Sequence, residues 1–300
     1  GIKNSHSSTV FADVMFSIIL LKKDNFSSRL FFSIEIESAF FLVFLASLNK
    51  EYQKCVDFLN SSNLLTATET HSPLFSSIAA KCYEKLKNYE KAAEFYQKQN
   101  NAQKDEKYKY KDFIEGIDRR AKVNIPVKIN DTHNNYFIMT GFPRSGTTLL
   151  ENALASHPKI ATCEETSSLI KTIQTAYMWP MEQDPKRTNA PLRAKYHQKL
   201  YYDNLNRYVD NEDATYIIDK TPIISANIKY MEKIFPEKKY IFSIRHPYDV
   251  VLSNFKQVYD QNMAMAAFND MYEACELYNK VMSEWFDVFP GETGRVLYIY

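Results

Sequence analysis

The stretch from Tyr136 to Leu150, YFIMTGFPRSGTTLL, constrains the fold more than any other part of the chain. An apolar run of β type, Tyr136 to Met139, stops at Gly141. A turn of Phe142, Pro143, Arg144, Ser145 and Gly146 follows, and Thr147, Thr148, Leu149 and Leu150 begin a helical pattern. A strand that feeds a glycine-bearing turn and then a helix N-terminus makes an anion site. The first helical turn leaves N–H groups without intrahelical partners, and the helix dipole adds positive potential at the same end.

Gly141 and Gly146 have the spacing of a Walker A loop, G-x-x-x-x-G-K-[ST], but Thr147 stands in the lysine position. That lysine reaches the β- and γ-phosphates of a nucleoside triphosphate, so its absence argues against NTP hydrolysis. The cation here is Arg144, inside the turn, where a planar guanidinium can fork onto a phosphate or sulfate. The loop therefore suits an anionic nucleotide other than a triphosphate. The plain alternative is a βα turn that happens to hold two glycines; Arg144 and the Thr147–Thr148 pair weigh against it.

A second stretch, KYIFSIRHPYDVVLSNFKQ from Lys239 to Gln257, is again an apolar strand followed by a helix. Arg245 sits at the strand's end and Ser253 two helical turns on. In order and separation the two stretches resemble the signatures of sulfotransferases, over about Tyr136 to Tyr300. The resemblance implies binding of 3′-phosphoadenosine 5′-phosphosulfate (PAPS) as co-substrate. Arg144, Ser145, Gly146, Thr147 and Thr148 would receive the 5′-phosphosulfate, and Arg245 and Ser253 the 3′-phosphate. The implied fold is an α/β, P-loop-like parallel sheet flanked by helices.

Glu164 and Glu165, in ATCEET, follow the next strand pattern. Acids at a strand end serve as helix N-terminal charges; alternatively one is a general base for an acceptor hydroxyl. The run resembles the Gly-Glu-Glu-Thr of tyrosylprotein sulfotransferases, whose second glutamate, by position Glu165, is the base. Cys163 replaces that family's glycine and Ser167 its arginine, so the acceptor preference does not carry over by position. Lys220, in IIDKTP, is either a surface lysine or a cation at the end of a third strand. The resemblance makes it the lysine that meets the leaving phosphosulfate, a task shared with Arg144. Negative charge builds on the bridging oxygen as the bond breaks, and a preorganised ammonium stabilises it. His246 fits no base position of the family, His157 reads as a turn residue, and Asp249 as a helix N-terminal charge. No His/Asp/Glu cluster suggests a metal.

The chain has 300 residues, enough for one α/β domain from about 129 to 300 and a helical region over 1–128. Apolar strands alternate with helices: Tyr136–Thr140 before a helix near Thr147, Lys159–Thr162 before one near Thr166, Thr215–Ile218 before Ile223–Ile234, and Lys239–Ile244 before Pro247–Tyr259. A helical tract to Phe289 and a last strand, Arg295–Tyr300, follow. This pattern implies parallel βαβ units with ligands at the strands' carboxyl ends. In the N-terminal third, Asn49–Leu59 aligns with Leu86–Tyr96 as a weak repeat, preceded in the second copy by Ala79, Ala80 and Tyr83. It resembles one good tetratricopeptide repeat and one degraded one; a generic amphipathic helix pair is the alternative. Residues 1 to about 35 show no clear period. Arg119, Arg120 and Lys122 read as the solvated face of a linker helix, with a basic binding patch as the alternative.

A formal charge of +1 argues against a general nucleic-acid or membrane-surface binder. The four scattered cysteines suggest neither zinc nor disulfides, and their plain reading is a reducing cytoplasm. No apolar run approaches the ~20 residues of a membrane helix. The start at Gly1 and the strand-like end read as cuts through a longer protein. The expected function is transfer of a sulfuryl group from PAPS to a hydroxyl or amine acceptor, on a small molecule, a glycan or a peptide tyrosine, with a protein partner on the helical region. A nucleotide kinase or NTPase relative and an inactive sulfotransferase-like binding protein are the alternatives.

Overall fold

The structure is a computed structural model that describes residues 43, 46–61, 73–123, 131, 133–178, 190–291 and 293–300. Residues 1–35 lie outside the described residues. The chain divides into two compact units, one of residues 1–104 with Lys256–Tyr259 and one of 105–255 with 260–300.

The first unit is helical where described: α1 (Tyr52–Ser61), α2 (Pro73–Lys85) and α3 (Tyr89–Gln103). Its internal repeat is visible in the backbone. Lys50 and Lys87, aligned in the sequence, both take left-handed backbone with φ 61°. Lys50 N–H donates to Ser47 and Glu51 N–H to Ala46; in the second copy Lys87 N–H donates to Glu84 and Asn88 N–H to Tyr83. Both turns are thus the same Schellman-type helix end, which satisfies the last carbonyls of the helix before it. Tyr83 stacks on Phe95 at 5.5 Å between ring centres, locking α2 onto α3.

The second unit holds a five-stranded, wholly parallel sheet with helices on both faces. Its elements in order are α4 (Tyr110–Lys122), β1 (Tyr136–Gly141), α5 (Thr147–Ala155), β2 (Ile160–Glu164), α6 (Ser168–Met178), α7 (Ala190–Leu205), β3 (Tyr216–Lys220), α8 (Ile228–Ile234), β4 (Lys239–Ser243), α9 (Pro247–Phe255), α10 (Met271–Val288) and β5 (Val296–Ile299). Helix α4, read from sequence as part of the 1–128 region, belongs to this unit. Strand order is β2-β3-β1-β4-β5. The chain winds outward from β1 to β2, returns through β3, then crosses to β4 and β5. Alternation along the strands builds a core on each face. Ile138, Tyr240 and Phe242 join Trp285 and Phe289 of α10's side, while Met139, Ile218 and Ile241 meet Leu150 and Leu154 of α5.

Three expectations shift. The helix expected over Ile223–Ile234 begins as a 3₁₀ turn, Pro222–Asn227, before α8. Ser225 Oγ there donates to Gly141 O and Pro222 O, which holds the tighter turn. The helix expected to reach Tyr259 ends at Phe255, because the next residues bond within the first unit: Lys256 to Glu84, Gln257 O to Gln99 and Tyr259 N–H to Gln103. The helical tract expected to run on to Phe289 is interrupted: no helix covers 256–264, and a 3₁₀ turn, Met265–Asn269, precedes α10. Helix α7 adds to the expected pattern. Among the described residues no helix is long and apolar enough to cross a membrane.

Candidate active site

The centre of the site is the crevice at the carboxyl ends of β1 and β4, where connections leave the sheet in opposite directions and parallel α/β folds place their ligands. Gly141 ends β1 against β4: a Cβ there would stand 2.6 Å from Ser243 O and 2.6 Å from Ser145 Oγ. Only glycine admits so close an approach. The loop that follows is clamped from the β4 side. Ser243 Oγ donates to Ser145 O at 2.8 Å, and Asn254 Nδ2 of α9 to Pro143 O at 2.8 Å.

Gly146 turns the chain into α5 with φ 98°, and no side chain caps the helix. The first-turn N–H groups at Thr147 and Thr148 are therefore left for a ligand. Arg144 is exposed and holds φ 68°. Its Nε donates to Ser253 Oγ of α9 at 3.2 Å, joining residues 109 positions apart. Ser145 Oγ lies buried under the loop without a hydrogen-bond partner, an unspent donor at the same place. An uncapped helix start, an arginine and a spare hydroxyl form a donor set that fits a phosphate or sulfate. Arg245, two residues beyond β4, is exposed and pairs with Asp249 at 3.6 Å. The structure thus brings Arg144 and Ser253 into contact, and Arg245 to the same end of the sheet.

The second half of the site lies at the ends of β2 and β3. Lys220 Nζ, fully buried, meets Glu164 Oε1 at 2.9 Å, Glu165 Oε1 at 3.1 Å and Glu151 Oε2 at 3.2 Å. Glu165 takes φ 44°, and its N–H extends the β2–β3 ladder by donating to Lys220 O at 2.8 Å. Burial works against the charge on Lys220, but the carboxylates outweigh it and raise its pKa above the ordinary lysine value. Burial likewise raises the pKa of Glu151, opposed by Lys220. Asp219 points to the other face; burial pushes its pKa up to about 7, against the pull of the Tyr201 and Thr221 hydroxyls. Among the described residues no cluster of His, Cys, Asp and Glu is arranged to hold a metal ion.

Residues 137–299 match the family model described as the sulfotransferase family. The chain belongs to the sulfotransferase family. An uncharacterized protein of Aquifex aeolicus is 26% identical over 238 residues, which are 73% of this chain and 31% of that protein. Protein-tyrosine sulfotransferase 1 of Danio rerio is 29% identical over 111 residues, 35% of this chain and 31% of the relative. The solved sulfotransferase domain of the Synechococcus PCC 7002 olefin synthase is 20% identical with a TM-score of 0.37, covering 59% of this chain and 69% of that one. The chain spans about a third of the length of the curated relatives it matches.

Within this sulfotransferase domain, the sequence reading missed Glu151, Ser243 and Asn254. Glu151 left a signal: a charged residue on α5 four positions after Thr147, in line with Leu154 on the inward side. The other two clamp the loop by contacts that no local pattern announces.

Proposed function

We propose that the chain transfers a sulfuryl group from PAPS to a hydroxyl acceptor. The observation that carries this reading is the 3.2 Å contact between Arg144 of the phosphate loop and Ser253 of α9. It sets Ser253 against the loop proposed for the 5′-phosphosulfate; with Arg245, Ser253 would receive the 3′-phosphate, the group that separates PAPS from ATP. The names of the tyrosine sulfotransferases among its relatives make a tyrosine hydroxyl the first acceptor to try.

PAPS supplies the sulfuryl group as substrate. In the proposed reaction Glu165 takes the proton of the acceptor hydroxyl, whose oxygen bonds to sulfur while the bond from sulfur to the bridging oxygen breaks. The electron pair leaves with the 3′,5′-bisphosphate. Arg144, Lys220 and the first-turn N–H groups of α5 neutralise that charge where it develops. Arg245 and Ser253 hold the 3′-phosphate. The doubled Schellman turn supports a tetratricopeptide-type hairpin in the helical unit, with protein binding as its expected role.

The test is calorimetric titration with adenosine 3′,5′-bisphosphate beside ATP. Micromolar binding of the bisphosphate with little binding of ATP is expected. Arg245→Ala should weaken the bisphosphate by about 10- to 100-fold, the value of a charge-assisted contact, and leave adenosine 5′-phosphosulfate nearly unchanged. Preference for ATP would move the chain to the kinase reading.

A further inference from the structure

Lys220 stands among more carboxylates than it can serve once a ligand arrives. An ammonium has three N–H donors, and Glu151, Glu164 and Glu165 all stand within 3.2 Å of its Nζ. The cluster holds one positive and three negative charges beside a loop built for an anion. A phosphosulfate that reaches Lys220 must displace at least one carboxylate.

The three are unequal. The side chains of Glu164 and Glu165 are 63% and 61% exposed, whereas that of Glu151 is 6% exposed. A displaced exposed carboxylate is rehydrated at little cost, but a displaced buried one is left as an unpaired charge away from water. Glu151 also sits one turn into α5, about 6 Å along the axis from Thr147 at the helix start. It therefore draws Lys220 toward the phosphate loop, while Glu164 and Glu165 draw it toward solvent.

Resting on the sulfotransferase reading, we propose that Glu151 is a positioning residue. It anchors Lys220 beneath the phosphate loop while the nucleotide displaces Glu164 and Glu165 from the ammonium. Nucleotide loading then has a second effect: it frees Glu165, the base, from its ion pair. The base is released only when there is a sulfuryl donor to attack. The raised pKa of Glu151 fits this dependence, since burial favours its neutral form and Lys220 is what opposes that.

The signs of two substitutions separate this arrangement from plain electrostatics. Removing any carboxylate beside an anion site should tighten anion binding if only distance and charge matter. The anchor model instead gives opposite signs. In titrations of the whole 300-residue chain with adenosine 3′,5′-bisphosphate, Glu165→Gln should bind about 3- to 10-fold tighter, because a competitor for Lys220 is gone. Glu151→Gln should bind about 5- to 20-fold weaker. Lys220→Met should weaken binding by a similar factor, and the double variant Glu151→Gln/Lys220→Met should be no weaker than Lys220→Met alone. Tightening or no change in Glu151→Gln, or multiplying effects in the double variant, would overturn the inference with the sulfotransferase reading intact. Should Glu151→Gln fail to fold, Glu165→Gln made on top of Lys220→Met decides: the displacement requires that Glu165→Gln tighten binding only while Lys220 is present, and equal tightening in both backgrounds would overturn it. No bisphosphate binding by the wild type would overturn the sulfotransferase reading and this inference together.

Discussion

Arg144 and Glu165 hold left-handed backbone, with φ 68° and 44°, although neither is glycine. Such conformations cost of order 1–3 kcal/mol each and persist where the surroundings impose them. Arg144 turns its guanidinium to Ser253 of α9, and Glu165 its carboxylate to Lys220. The strain at Arg144 is open to test. Arg144→Gly removes the cost and the cation together, and the contact it loses, to Ser253, is exposed and weak. Its melting temperature should be no lower than that of the wild type, while bisphosphate binding falls by at least about tenfold. A marked drop in melting temperature would make the arginine a structural tie. The residue types at both positions were legible in the sequence. Their backbone was not, because no propensity places arginine or glutamate in that region.

At the scale of elements, the junction of β1 and β4 carries the loop, and α10 packs against it. Trp285, fully buried, stacks on Phe242 of β4 with ring centres 3.9 Å apart. Trp285→Ala should cost about 3–5 kcal/mol. In a unit of this size that lowers the melting temperature by roughly 10 °C, which calorimetric or circular-dichroism melts would read; a change under about 3 °C would mean that the stack contributes little. Strand and helix starts followed the sequence closely because apolar runs and glycine turns are local signals. Helix α7 escaped it. It buries Tyr201, Tyr202 and Leu205, but polar residues interleave with its aromatics and blur the period. The early end of α9 escaped too, since Lys256, Gln257 and Tyr259 leave the helix for partners around residues 84–103.

For the whole molecule, Asp219 gives folding a pH dependence. Its pKa rises from 3.8 to about 7 on burial. A carboxyl raised in the folded state contributes stability that is present below the unfolded pKa and is lost as pH climbs through the folded one. Between about pH 4 and 7 the wild type should therefore lose melting temperature relative to Asp219→Asn, with a free-energy span on the order of 4 kcal/mol. A constant difference across that window would show that Asp219 is ionised when folded. This coupling was invisible in the sequence, where Asp219 is simply the neighbour of Lys220. Alternation along β3 sends one side chain into the aromatic core and the other to the carboxylates.

By itself the sequence determined the alternation of strand and helix, the glycine-framed loop with its arginine, and the second strand–helix carrying Arg245 and Ser253. These are properties of short stretches, set by side-chain period, turn chemistry and helix ends. Only the tertiary structure decided that Arg144 touches Ser253, and that Lys220 gathers Glu151 from one helix and Glu164 and Glu165 from another strand's end. Those meetings depend on the strand order β2-β3-β1-β4-β5. That order follows from how the chain buries both faces of one sheet at once, and no single stretch encodes it.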